Sequence, residues 1–124
     1  VFVKDDKYGV IDKNGQEVVP PIYEFIGDFG EALSLVKSNG KFGYLDKKGN
    51  VEIDPAYTDA GIFSEGLAQI KVKNKWGFID TEGKVIIQPI YEEVHPFKDG
   101  LSQVIYRNKW AYIDRWGDIV WRES

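Results

Sequence analysis

Four hexapeptides start 34 residues apart along this chain: Lys7-Tyr8-Gly9-Val10-Ile11-Asp12, Lys41-Phe42-Gly43-Tyr44-Leu45-Asp46, Lys75-Trp76-Gly77-Phe78-Ile79-Asp80 and Lys109-Trp110-Ala111-Tyr112-Ile113-Asp114. A glycine follows each aspartate by three positions (Gly15, Gly49, Gly83, Gly117), and no gap is needed anywhere. Pro21, Pro55 and Pro89 precede Tyr23, Tyr57 and Tyr91 by two, and Phe29, Phe63 and Phe97 then Leu33, Leu67 and Leu101 complete the register. A fixed period of this length confines the fold to an array in which one small unit is stacked repeatedly and buries its apolar face on the next.

A 34-residue period also suits helical hairpins, but the pattern here is not helical. Gln69-Ile70-Lys71-Val72-Lys73 and Trp76 to Asp80 alternate with a period of two. Fixed Gly and Pro positions would cost a helix about 1 and 3 kcal/mol each. The unit reads as three strands: Gln69 to Lys73, an Asn74-Lys75 turn, Trp76 to Asp80, a Thr81-Glu82-Gly83 turn, and Val85 to Gln88. Three adjacent apolar residues, Val85-Ile86-Ile87, predict neighbours on both faces of the last strand. Val1 to Lys4 and Ile119 to Trp121 supply the first and last strands of the array. The expected fold is all-β: four tandem three-stranded antiparallel meanders stacked as a short solenoid in one domain, 1–124. The units cover about 1–21, 35–55, 69–89 and 103–121, joined by three connectors of about a dozen residues. Closure into a small propeller-like ring is the alternative.

Composition narrows the function classes. Eighteen aromatic residues among 124 favour strands and large buried rings. A net charge of −4 argues against binding nucleic acid through phosphate neutralisation. The absence of cysteine removes thiolate chemistry, disulfides and Cys-based zinc sites. No apolar run approaches the roughly 18 residues that span a bilayer, so membrane insertion is not expected. The chain contains no methionine, and a processed polypeptide or a piece of a longer array is expected.

Asp12, Asp46, Asp80 and Asp114 are the first acids to consider for chemistry. Their place three residues before Gly15, Gly49, Gly83 and Gly117 instead suits a carboxylate that caps its own turn, and Asp-x-x-Gly is no calcium loop. The lysines before each aromatic are expected to lie in solvent with their stems over the rings. Connectors 22–34, 56–68 and 90–102 carry −3, −2 and −2, while lysines gather at the opposite turns. The ladder Tyr8, Phe42, Trp76, Trp110 is expected in the core; exposed, it would suit sugars or choline-type head groups. Trp116 replaces Asn14, Lys48 and Glu82 in the last turn and is the best exposed aromatic contact. Trp121 aligns with Val19, Ile53 and Ile87 and is expected as core or end cap. His95, beside Glu92 and Glu93 in sequence, is the only histidine and has no motif-placed serine to activate. No catalytic residue, metal site or cofactor is expected.

The string Lys-Trp-Gly-Phe-Ile-Asp-x-x-Gly-Lys-Val-x-Ile-x-Pro-x-Tyr, followed by Phe-x-x-Gly-Leu, resembles the WG repeat found widely in bacterial proteins. Tyr8 and Phe42 replace the Trp of the name and Ala111 replaces one Gly. The resemblance implies a β-rich array with an interaction role, and favours a secreted or cell-surface setting over a cytoplasmic one. It carries no common ligand or reaction. Because both terminal units look like interior ones, a structural or protein-binding module that associates with protein or with itself through the array ends is expected. Trp116, Trp121, Glu92, Glu93 and His95 are the candidate contact residues.

Overall fold

The computed structural model describes residues 2–29 and 33–123, with the side chains of 28 and 29 outside that description. Val1 and the Phe29 ring, both used above, therefore lie outside the described residues. Fifteen strands and no helix are present among the described residues. They form four separate antiparallel sheets, one per repeat, each a meander in chain order.

The first sheet holds β1 (Phe2–Lys4), β2 (Lys7–Ile11) and β3 (Glu17–Tyr23). The second holds β4 (Phe25–Phe29), β5 (Ser34–Ser38), β6 (Lys41–Leu45) and β7 (Val51–Tyr57). The third holds β8 (Asp59–Ala60), β9 (Ala68–Val72), β10 (Lys75–Ile79) and β11 (Val85–Tyr91). The fourth holds β12 (Glu93–Val94), β13 (Ser102–Tyr106), β14 (Lys109–Ile113) and β15 (Ile119–Arg122). The three-stranded expectation is thus extended: each connector begins with a strand that adds to the outer edge of the next meander. Glu93 and Val94, for instance, pair with Ile105 and Val104. Covering that edge satisfies backbone groups that an open strand would leave bare.

Turn chemistry fixes each hairpin. The first turn of the third repeat is Lys73-Asn74, one residue earlier than the sequence suggests, with φ of 50 and 69°. Paired positive φ values are those of a two-residue I′ turn, whose twist matches the flanking strands. Asp5-Asp6, Asn39-Gly40 and Arg107-Asn108 repeat it. At the second turn Gly83 donates to the Asp80 carbonyl at 3.0 Å and holds φ of 85°, a conformation that glycine adopts without strain.

The core is three clusters, one between each pair of consecutive sheets. Val19, Tyr23, Ile26, Val36 and Leu45 join the first two. Leu35, Tyr44, Ile53, Phe63, Ile70 and Ile79 join the second and third. Phe78, Ile87, Tyr91, Phe97, Val104 and Ile113 join the third and fourth. The third strand is less enclosed than its run of apolar residues suggests: Ile87 is buried, but Val85 is exposed. Ile86 is half-buried against the same cluster, and Ile87 alone of the three is fully covered.

The stack is open. A Cβ built on Gly49, Gly83 or Gly117 would touch Val19, Ile53 or Ile87 of the preceding sheet, whereas one on Gly15 would meet nothing within 4 Å. Trp121, the counterpart of those three residues at the far end, is 52% exposed. The solenoid, not the ring, is the arrangement of these sheets.

Candidate interaction surface at the array end

The recurrent aspartates build turns. Oδ1 of Asp80 accepts the backbone N–H groups of Glu82 and Lys84, each at 2.9 Å. Asp12, Asp46 and Asp114 make the same two contacts with the residues two and four positions on. With Oδ1 used this way, each carboxylate is tied to its own turn. The Asn50 N–H above all, against an opposing effect of desolvation and with help from the Lys48 N–H and the Asn50 amide, holds the Asp46 carboxyl below its ordinary value of 3.8. A depressed folded value means stability that is present above pH 3.8 and drains as pH falls through the lower folded value. Asp46→Asn should therefore flatten the acid limb of an unfolding-versus-pH curve, leaving the neutral region offset by a constant amount. An acid limb unchanged in slope would refute the assignment.

The connector acids also serve the array itself. Glu92 Oε1 accepts the Asn108 N–H at 2.9 Å, and Oε2 lies 3.7 Å from Lys75 Nζ of the preceding sheet. The Asn108 amide is the main cause, and the Lys75 charge a smaller one, that keeps the Glu92 carboxyl below its usual range. Glu65 accepts the Asp99 and Gly100 N–H groups at 2.6 and 2.8 Å, so one connector turn caps the next. Glu93 reaches His95 Nε2 at 3.2 Å, and the imidazole stacks on Trp110 with centroids 6.3 Å apart. The structure thus joins exposed Glu93 and His95 to half-buried Trp110 and places Glu92 apart, at the sheet–sheet joint. Among the described residues, no three carboxylate or histidine side chains gather where a metal ion could sit.

The aromatic ladder lies neither fully in the core nor free in solvent. Tyr8, Phe42 and Trp76 are half-buried and pack against the clusters. Lys37 and Lys71 lie over Phe42 and Trp76 at 5.5 and 5.7 Å from the ring centroids. These lysines come from the neighbouring strand of the same sheet and cover the ring faces.

The end face of the last sheet is where apolar side chains meet water. Tyr112 (37%) and Trp121 (52%) are exposed, with their rings 6.0 Å apart. Their counterparts Phe78 and Ile87 are 0% and 4% exposed beneath the next sheet. Trp121 therefore stands at the open end, not in a core, and Trp116, at 74%, extends from the adjoining turn.

Two features of the site carry weaker marks in the sequence. The glycine of each hexapeptide is a backbone requirement. Between the Trp76–Tyr91 and Phe78–Ile87 pairs the register shifts, so β11 bulges over Gly77. In the last repeat Ala111 pairs regularly with Arg122 and Tyr112 with Trp121. Glu123 stands where the other copies have Pro21, Pro55 and Pro89, and this loss of proline, coinciding with Ala111, is the signal that marks it.

Neither a curated protein nor a solved structure matches the chain. A family model described as WG containing repeat matches residues 8–42, 42–76 and 76–110, in step with the sheets described above. The chain belongs to the WG-containing β-repeat family.

Proposed function

We infer that this protein is a non-enzymatic structural and interaction module that associates end to end with a second copy of itself. The supporting observation is the contrast between Val19, Ile53 and Ile87, each buried under the following repeat's turn, and Trp121, left uncovered at the same position. The opposite end offers the matching part: the turn at Gly15 has φ of 80° like its counterparts, and open space where they meet a preceding sheet. Seating the Gly15 turn on the Tyr112–Trp121 face would continue the contact already made three times within the chain. Such a contact is heterologous, so it propagates instead of closing. A ligand stripe for sugars or choline-type cations has less behind it, because lysines of the same sheets lie over Phe42 and Trp76.

Sedimentation over a wide concentration range tests the reading. The wild-type mass should rise with concentration, and Trp121→Glu, which places a charge in the joint at an exposed position, should hold the chain as a monomer. A wild-type protein that stays monomeric at high concentration would overturn end-to-end association.

A further inference from the structure

A carboxylate clamp closes the first and third sheet–sheet joints and is missing from the second. At the third joint Glu92 Oε1 accepts the Asn108 N–H at 2.9 Å, and Oε2 lies 3.7 Å from Lys75 Nζ of the preceding sheet. At the first, Glu24 Oε1 accepts the Gly40 N–H at 2.8 Å. Gly40 and Asn108 are the second residues of their I′ turns, with φ of 78 and 67°. The N–H at that place takes no part in the hairpin ladder and needs an acceptor from elsewhere.

At the second joint the donors remain and the acceptor does not. Thr58 stands where the other joints have Glu24 and Glu92. Its backbone is placed as theirs is: its N–H donates to the Lys71 carbonyl at 3.3 Å, as those of Glu24 and Glu92 donate to Lys37 and Ile105 at 2.8 and 3.0 Å. Its hydroxyl donates to that same Lys71 carbonyl at 3.1 Å. Asn74, with φ of 69°, repeats the turn of Asn108, and Lys41 repeats Lys75. Among the described residues, neither the Asn74 N–H nor Lys41 Nζ has a hydrogen-bond or ion partner, and Lys41, Thr58 and Asn74 are all exposed. Lys73 flanks Asn74 in the turn, and Lys37 and Lys71 lie one residue pair back from the two turns. Asp59, opposite Lys71, is the acid nearest Thr58 in sequence, and its Oδ1 is taken by the Ala60 N–H at 2.9 Å.

We propose that this joint binds a carboxylate presented by an acidic segment of a partner polypeptide, with the Asn74 N–H and Lys41 Nζ as its two donors. Two internal examples, Glu24 and Glu92, single out a carboxylate among anions. A segment is required because one exposed ion pair is weak by itself, and Lys37, Lys71 and Lys73 extend the positive charge beyond a single acid. The joint is interior to the array, so the site stands apart from whatever meets the Trp121 face.

The probe is an acetylated, amidated tetraglutamate peptide, titrated into the wild-type chain at fixed ionic strength while the Asn74 amide resonance is followed. Binding should be saturable and should shift that resonance, and the tetraglutamine peptide should leave it in place. Lys41→Gln should weaken binding by about two- to fivefold. Thr58→Glu supplies the acceptor from within the chain at high effective concentration. It should move the Asn74 resonance with no peptide present, raise the melting temperature and weaken the peptide by about tenfold or more. An Asn74 resonance indifferent to the glutamate peptide, or equal affinity for the glutamine peptide, would overturn the proposal. Inorganic phosphate shifting Asn74 as strongly as the peptide would overturn it too, since the joint would then hold any anion. Sedimentation reads end-to-end association separately, and either result there leaves this one standing.

Discussion

Gly77→Ala should destabilise the fold by about 3 kcal/mol or more, lowering the melting temperature by about 10 °C or more in a domain of this size. The added Cβ would run into the backbone of β11: the Ile87 carbonyl oxygen first, then Pro89 N at 2.7 Å and the Gln88 carbonyl carbon at 2.8 Å. Backbone held by a bulge and flanked by a buried Ile87 and Tyr91 has nowhere to retreat. Gly43 faces the same obstruction from Ile53, Asp54 and Pro55, so Gly43→Ala should cost a similar amount. Position 111 supplies the internal control. Where the strand pairs without a bulge, the chain already carries alanine, and Ala111→Gly should cost only about 0.5–1 kcal/mol through backbone entropy. Thermal and chemical unfolding of the three variants decides the matter. Equal, small losses at 77 and 111 would show that the bulge is not what requires glycine.

That asymmetry also shows what the sequence could and could not disclose. The period, strand order and turn aspartates are local, and each leaves a mark every 34 residues that can be read directly. The extra edge strands β4, β8 and β12 are not marked in this way. Phe25-Ile26, Asp59-Ala60 and Glu93-Val94 share no pattern, and pairing with the next meander makes them strands even though Asp59-Ala60 has little strand propensity of its own. The opening of the stack was equally hidden. Trp121 has the composition of a core residue, and its exposure follows from the lack of a sheet beyond it among the described residues. Trp116 was legible because a Trp in a turn where other copies carry Asn, Lys and Glu has no core to enter. Glu92 was legible only as a charge. Its role at the joint depends on Lys75 and Asn108, which are brought to it from different strands.

Tyr44→Phe should cost about 1–3 kcal/mol, the range for stranding a buried hydrogen-bonding group, and Ala68→Ser in the same chain should recover much of it. Tyr44 is fully buried and its hydroxyl donates to the Gly61 carbonyl at 2.5 Å. The equivalent carbonyls find a different donor: Ser34 Oγ reaches Gly27 at 2.6 Å and Ser102 Oγ reaches His95 at 2.7 Å. In those joints the preceding sheet presents Val10 or Phe78, which have no hydroxyl, and of the three joints it is the one where Ala68 replaces the serine that has a tyrosine across it. The array thus satisfies one buried acceptor by two routes, from within the repeat or across the joint. Combining Tyr44→Phe with Ala68→Ser would reproduce the Phe78–Ser102 arrangement, down to the edge-on ring neighbour: Phe63 lies 4.8 Å from Tyr44 as Phe97 lies 4.7 Å from Phe78. A double-mutant cycle should give a favourable coupling of about 1–2 kcal/mol. Burial, with Tyr57 adding to it, also pushes the Tyr44 phenol well above its ordinary value of 10.0. The stability tied to the neutral phenol is present below pH 10.0 and lost as pH rises toward the folded value, so the double variant should resist alkaline unfolding better than the wild type. Additive single effects, with no rescue, would mean that the Gly61 carbonyl does not depend on either hydroxyl.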